Sequence, residues 1–520
     1  MRFLMLFALC LGFIMAATDL RAEDKKPTPK FKLAKETTYV LGPVDEDGYV
    51  DYETAVNDML KGKTTPDTNA LVLLMKCFGP KPEGADLHPD FYKWLGVKSL
   101  PEDGDYLISS SKHFALEYRG ANADQFHELE SQLKRKPWQA KDYPRFVEWL
   151  QVNEKPISSA IAATKKPDYF HPVISRTPDG KRGMLIGALL SSVQKSREIA
   201  HLLSLRAMYY VGDGKPEAAL QDALAMHRLG RLIGRGGFLI ELLVGIAIDS
   251  IAHQTDLAIL EYGKLTSQQI MAYQVELMNL APMSTTGEKI AKYERCMYLD
   301  SLQGIARDGA TALHMLEGMA DGVLNIKDKN GEIQKSLDYE QIMRFGNTWY
   351  NKIDVALSKD TYTARNEAVA EYGQQLELMA INSRNQGWQE KALMLFGDPK
   401  KIREKVSARV AVIFVSLLIP SFQKVMQAGD RSEQISRNGL IATALAAYYA
   451  DHKKYPVKLD DLKPKYIAKI PNDLFTEKAL IYMPNKKGYL LYSVGVNGKD
   501  DGGKLISDEP RGDDVGVRIP

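Results

Sequence analysis

The sequence is short of cysteine, of net charge and of long apolar runs. It has three cysteines in 520 residues. Cys10 lies in an N-terminal apolar run, which leaves Cys77 and Cys296 for the folded protein. Two cysteines exclude a disulfide framework and any CxxC-based redox or zinc site. They are either one disulfide, as an oxidising compartment permits, or two separate buried thiols. Lysine plus arginine number 68 and aspartate plus glutamate 66. That balance provides no basic field for nucleic acid or anionic membrane. Val410 to Ile419 is apolar but bounded by Arg409 and Pro420. It falls short of the ~20 residues that span a bilayer and reads as a buried helix segment. Catalytic signatures are missing as well. There is no GxSxG, Walker A, HExxH or strand-borne GxGxxG, and no residue is assigned a catalytic role.

What is present begins with an export signal. Arg2 precedes the apolar run Phe3 to Ala17, and Leu20-Arg21-Ala22 ends it before Glu23-Asp24-Lys25-Lys26. The pattern predicts cleavage after Ala22 and a periplasmic or extracellular protein with no stable transmembrane span. Residues 1–22 are the signal and 23–36 a charged, proline-containing linker.

Residues 37–182 read as a mostly helical N-terminal domain. Thr38 to Leu41 is strand-like, and Asp51 to Leu60 and Asn69 to Cys77 are helical. Residues 183–430 read as a helical hairpin domain. Its predicted helices are Met184 to Val211, Pro216 to Ile233, Phe238 to Tyr262 and one starting after Thr266 or Ser267. Further helices are predicted at about 286–318, 338–357, 360–388 and 398–428, with a polar loop from Gly322 to Gly331. Leu205 to Leu229 resembles a single tetratricopeptide helix pair, without the period of about 34 residues that a repeat array needs. Residues 431–520 read as an α+β module: a helix Ser432 to His452, then strands Ala479 to Met483, Gly488 to Val494 and Val515 to Ile519.

Three stretches invite chemistry. Gly237 to Ile248 resembles a prepilin start, but Glu241 and Asp249 are unwelcome in a membrane helix, and a core helix is the simpler reading. His201 and His227 lie 13 residues either side of Gly214. A hairpin turning there sets them at one height, with Glu198 and Asp222 near in sequence, as a candidate metal or acid–base pair. His253 lies further from its own turn, which disfavours a three-histidine site. Asp45 to Glu53 partly matches a calcium loop. Aligned on Gly48, its first ligand position is Pro43 and its closing glutamate is one place early, so a turn capped by Asp51 is the simpler reading.

The last 90 residues carry the clearest pattern. Tyr448, Tyr455-Pro456, Leu459, Leu462, Ile470-Pro471-Asn472-Asp473 and Tyr489 to Gly498 follow one another in order. This order resembles the soluble domain of the major pseudopilin of type II secretion over residues 431–517. Asn497 stands where that family has aspartate. The resemblance implies a calcium loop, with Asn497, Asp500, Asp501, Asp513 and Asp514 as metal ligands. Interleaved oxygen ligands and glycines support the same expectation on chemical grounds. The whole chain also resembles a group of large exported bacterial proteins that share Thr38 to Pro43 and Asp47 to Tyr52; that likeness carries no activity.

The expected fold is mainly α, an irregular helical hairpin array, with a C-terminal pseudopilin-like α+β module. The expected function is that of an exported envelope scaffold or protein-binding protein whose partners are other envelope proteins. The alternative is a hydrolase-like envelope enzyme with its site between helical hairpins, at His201 and His227.

Overall fold

The longest element starts where Asp398 accepts a hydrogen bond from the Lys400 amide. Pro399 takes the first helical position, where no N–H is needed. The helix then runs to His452, 54 residues and about 80 Å. The computed structural model describes residues 29–119, 122–175, 183–188, 190, 192–309, 312, 337–384 and 398–520. The signal segment with Cys10, linker residues 23–28 and the loop Gly322 to Gly331 lie outside the described residues.

Among the described residues sixteen helices precede or include that element. The first seven are α1 (Tyr52–Lys61), α2 (Ala70–Phe78), α3 (Pro89–Leu95), α4 (Ser110–His113), α5 (Ala123–Leu133), α6 (Pro144–Val152) and α7 (Glu154–Ala163). Next come α8 (Ser196–Gly212), α9 (Pro216–Gly234), α10 (Leu239–Tyr262) and α11 (Ser267–Met278). A short α12 (Thr286–Glu288) leads through a π-helical turn, Lys289–Glu294, into α13 (Arg295–Asp308). Then follow α14 (Tyr339–Leu357), α15 (Tyr362–Arg384) and the long α16 (Pro399–His452). Three strands close the chain, β1 (Ile481–Pro484), β2 (Tyr489–Ser493) and β3 (Val515–Ile519). They form an antiparallel sheet in sequence order, with Tyr482 opposite Leu491 and Leu491 opposite Val517. The fold is thus mainly α with a C-terminal α+β module, as expected.

Local chemistry sets the ends of these elements. Asp51 caps α1 by accepting from the Thr54 amide. Asn69 caps α2 and also exchanges hydrogen bonds with the backbone of Phe170. Thr266 and Gln269 form a reciprocal capping box at α11.

Three predicted boundaries move. Thr38 to Leu41 is a turn, not a strand, because the Thr37 and Thr38 amides bond back to the Ala34 carbonyl. The first hairpin helix begins at Ser196, not Met184, since the Leu185 amide is held by Asp300 and residues 185–187 make a single 3-10 turn. The two helices predicted on either side of residue 430 are one. The polar residues there are helical because other elements match their charges: Asp430 pairs with Arg365, and Arg431 with Asp513. The boundary expected between residues 430 and 431 therefore falls inside α16.

Helix α16 serves two apolar clusters. Val410, Phe414, Val415 and Phe422 join α1, α13 and α14 in one. Ile441, Ala444 and Leu445 join α2, α7 to α11 and the sheet in the other. Val410, Ala411, Val412, Phe414 and Val415 of the predicted apolar stretch are helical and buried. Cys77 and Cys296 sit one in each cluster as free thiols, which settles against a disulfide between them. Burial pushes both up to about 12.

Helix α10 is long and apolar enough, by length and composition, to cross a membrane. It packs within the helical array against α8, α9 and α16. Its approach to α9 is set by glycine. A Cβ on Gly245 would lie 2.4 Å from the Gly230 carbonyl oxygen, and one on Gly230 2.7 Å from that of Gly245. Gly429 in α16 has open space instead. Gly245→Ala is therefore expected to lower stability by about 1–3 kcal/mol through overpacking. Gly429→Ala is expected to raise it by about 1 kcal/mol through helix propensity. Urea unfolding of both variants checks the contrast; equal effects would refute it.

Candidate functional site: a sealed histidine–aspartate cluster

The close packing of α9 on α10 brings His227 between two carboxylates two helical turns apart. Nδ1 of His227 lies 2.6 Å from Asp249 Oδ1, and Nε2 lies 2.8 Å from Asp256 Oδ2. All three residues are buried, His227 completely. A neutral imidazole has one N–H to donate, whereas two carboxylates each accept one. Burial alone would lower the His227 pKa, but Asp256 and Asp249 outweigh it and raise it to about 9. Burial likewise pushes Asp249 up, but the neighbouring His227 and His253 hold it well below the usual carboxylate range.

Further partners close the cluster. Arg231, one turn along α9, donates to Asp249. Tyr273 of α11 donates to Asp256 Oδ1 at 2.5 Å. The two carboxylates thus face two cations, His227 and Arg231. His253 stacks edge-on against His227 with ring centroids 4.6 Å apart. Its Nε2 lies 3.4 Å from Asp249 Oδ2 and 3.2 Å from Ser436 Oγ of α16. A Cβ on Gly439 would come 3.1 Å from the same ring, so α16 lies directly over it.

Ligand atoms of His227, Asp249 and His253 all lie within 4.8 Å of one another, the grouping a metal would need. The shortest contacts speak for protons. Ligands on a tetrahedral ion with bonds of about 2.0–2.1 Å stand roughly 3.3 Å apart. The 2.6 and 2.8 Å contacts are charge-assisted hydrogen bonds, and they engage both ring nitrogens of His227.

The predicted pairing of His201 with His227 does not form. His201 lies near Lys134, Arg197 and Glu130; burial first, then the two cations, hold its pKa down at about 4. Glu198 pairs with Lys195, and Asp222 with Arg206, so neither reaches His227. The partner of His227 is the residue the sequence reading set aside, His253. Equal distance from a turn was the wrong guide, because His227 faces α10 rather than α8. The usable signal was a polar stripe, Asp249, His253 and Asp256, on one face of an otherwise apolar helix.

A second buried group was also missed. Glu241 accepts from the Phe238 amide and Glu294 from the Leu239 amide, so both cap α10. Lys289 donates to the Gly236 carbonyl beside them. Burial pushes each glutamate up to about 7.

The acidic C-terminal loop closes largely on its own backbone. Asp513 accepts from the Asn497 amide and pairs with Arg431. Asp501 accepts from the Asp513 amide and the Asn497 side chain. Asp514 accepts from the amides of Asp501 and Gly503, and Asp500 from Gly502 and Tyr492. The five predicted ligands are brought onto one loop. Among the described residues, no three of their carboxylates gather as the His227 group does. Asp45, in the earlier calcium-like stretch, accepts from the amides of Asp47 and Tyr49 in a turn, and Asp51 caps α1.

No family model, curated protein or solved structure matches this chain.

The cluster has a pH signature. The folded pKa of His227, about 9, exceeds the usual value of 6.5, so its stabilisation is complete below pH 6.5 and lost as pH rises to about 9. The loss is on the order of 3 kcal/mol. Glu241 and Glu294 act in the same direction, carrying a cost that is absent below about 4.5 and full above about 7. His171 and His201, held down to about 4, oppose them below pH 6.5. Stability is therefore expected to decline from pH 6.5 to 9. In His227→Gln the decline above pH 7 is expected to flatten, on a background lowered by roughly 3–5 kcal/mol. Urea unfolding across this range is the measurement; an unchanged slope in the variant would remove His227 as its cause.

Proposed function

We propose that the protein is an exported envelope scaffold. Its helical body carries a pseudopilin-like C-terminal module, and its partners are other envelope proteins. One observation carries the reading. The cluster richest in catalytic residue types is sealed beneath α16, and its hydrogen bonds are spent on holding four helices, α9, α10, α11 and α16. None of its residues lines the pockets beside Arg295, Trp94 or Arg365. A group whose charges are all paired inside the fold is a fastener, since catalysis needs a free group facing a void.

The module's likeness to a pseudopilin is supported by its order of long helix, Tyr-Pro turn and three-stranded antiparallel sheet. Tyr455 stacks on Tyr449 and meets Tyr489 edge-on. The Tyr482 hydroxyl donates to the Pro456 carbonyl, pinning the turn to β1. Calcium binding by Asn497, Asp500, Asp501, Asp513 and Asp514 belongs to the same proposal. Oxygen-bearing side chains on one glycine-rich loop favour it, and binding would draw Asp513 away from Arg431.

Affinity isolation of the full chain from its native envelope fraction tests the scaffold. A reproducible stoichiometric protein partner is expected. A chain that elutes alone and hydrolyses an ester or peptide, with activity lost in His227→Gln, would establish the hydrolase-like alternative instead. For the loop, calcium is expected to raise the melting temperature relative to chelator, and Asp500→Ala with Asp513→Ala to abolish that rise. No rise in the unmodified protein would end the calcium proposal.

A further inference from the structure

A pocket of about 550 Å³ opens between the turn at Tyr39, the π-helical turn and α14. Its walls include Tyr39, Glu288, Lys292, Arg295, Asn351 and Asp354. Arg295 is 4% exposed, yet among the described residues no carboxylate lies within 4.0 Å of it. Arg206 and Arg231 differ, each holding a buried aspartate. One donor of Arg295, Nη2, reaches Asn351 Oδ1 at 2.9 Å, while Nε has no partner. The rings of Tyr39 and Tyr350 lie 4.4 and 5.4 Å from the guanidinium carbon. With its faces against rings, a guanidinium recognises ligands through its edge, and the planar group that fits that edge is a carboxylate.

Two backbone features concentrate here. Tyr39 adopts a left-handed conformation, φ 62°, which is costly for a residue with a side chain and sets its ring over Arg295. The π-helical turn Lys289–Glu294 immediately precedes Arg295, and such turns recur at functional sites.

The remaining charges narrow the ligand. Lys292 and Glu288 pair with each other at 2.9 Å. Asp354 is exposed, and among the described residues no cation lies within 4.0 Å of it. The pocket therefore presents one positive and one negative group that influence each other through space but make no contact ion pair with each other. A phosphate or dicarboxylate would meet repulsion from Asp354. We propose that this pocket binds a small zwitterion of the amino-acid class, its carboxylate on Arg295 and Asn351 and its ammonium on Asp354. This site is separate from the scaffold reading and does not depend on it.

Isothermal titration of the full chain with the twenty amino acids, acetate and inorganic phosphate, at constant ionic strength, tests the assignment. At least one amino acid is expected to bind, with acetate and phosphate about tenfold weaker or worse, the difference being one charge-assisted hydrogen bond. Asp354→Asn is expected to remove the preference for amino acid over acetate. Asn351→Ala is expected to weaken binding severalfold, and Arg295→Lys to abolish it. The first two positions are exposed, so these variants serve even where Arg295→Lys fails to fold. Acetate binding as tightly as any amino acid would overturn the proposal. So would no amino acid binding up to about 10 mM, or binding unchanged in both Asp354→Asn and Asn351→Ala.

Discussion

An imidazolium clamped between two buried carboxylates is the interaction on which the arrangement of helices turns. Removing three such charges from water costs several kcal/mol each, and the contacts must be short and complete to offset it. His227 meets that demand only because Gly230 and Gly245 let α9 and α10 approach until backbone nearly touches backbone. Apolar faces alone tolerate sliding, since hydrophobic burial has no direction. The bonds from His227 to Asp249 and Asp256, with Arg231 and Tyr273 behind them, permit one register. His253 extends the same constraint to α16 through Ser436.

From there the constraint passes to the C-terminal module. Gln274 of α11 donates to the Leu440 carbonyl and the Thr443 hydroxyl of α16. On the same helix Gln434 accepts from the Leu474 amide and donates to Asn438, which in turn donates to the Val515 carbonyl of β3. Asp473, buried at the turn, accepts from the amides of Phe475, Thr476 and Val494. A polar chain thus runs from the hairpin array into the sheet. The module and the body share one apolar cluster and one helix, so the module is held at a set angle to the body instead of on a tether.

The sequence made the elements legible where local chemistry decides them. Pro216, Thr266 at the start of α11 and the short apolar run at Tyr489 to Tyr492 each act within a few residues, and those elements appear within a residue or two of the reading. It failed where a distant partner decides. Nothing near residue 430 announces that Arg365 and Asp513 will neutralise a polar stretch and keep it helical. His227 was visible as a candidate, but its partner depended on which neighbouring helix it faces. The acidic loop was recognisable by composition, while its closure on its own amides depended on backbone turns that composition does not specify.

The same reasoning separates two kinds of buried cation in this chain. Arg231 and His227 come from a stretch that looks like chemistry, yet every charge there has a partner within the fold, and what remains is cohesion. Arg295 comes from a stretch with no motif at all. Its guanidinium is buried against two tyrosine rings, with one hydrogen bond and no carboxylate within 4.0 Å among the described residues. A buried charge without a counter-charge is costly unless something outside the chain supplies one. Residue type marked the first group and missed the second, because binding capacity resides in what a group still lacks, and that depends on every neighbour the fold assembles around it.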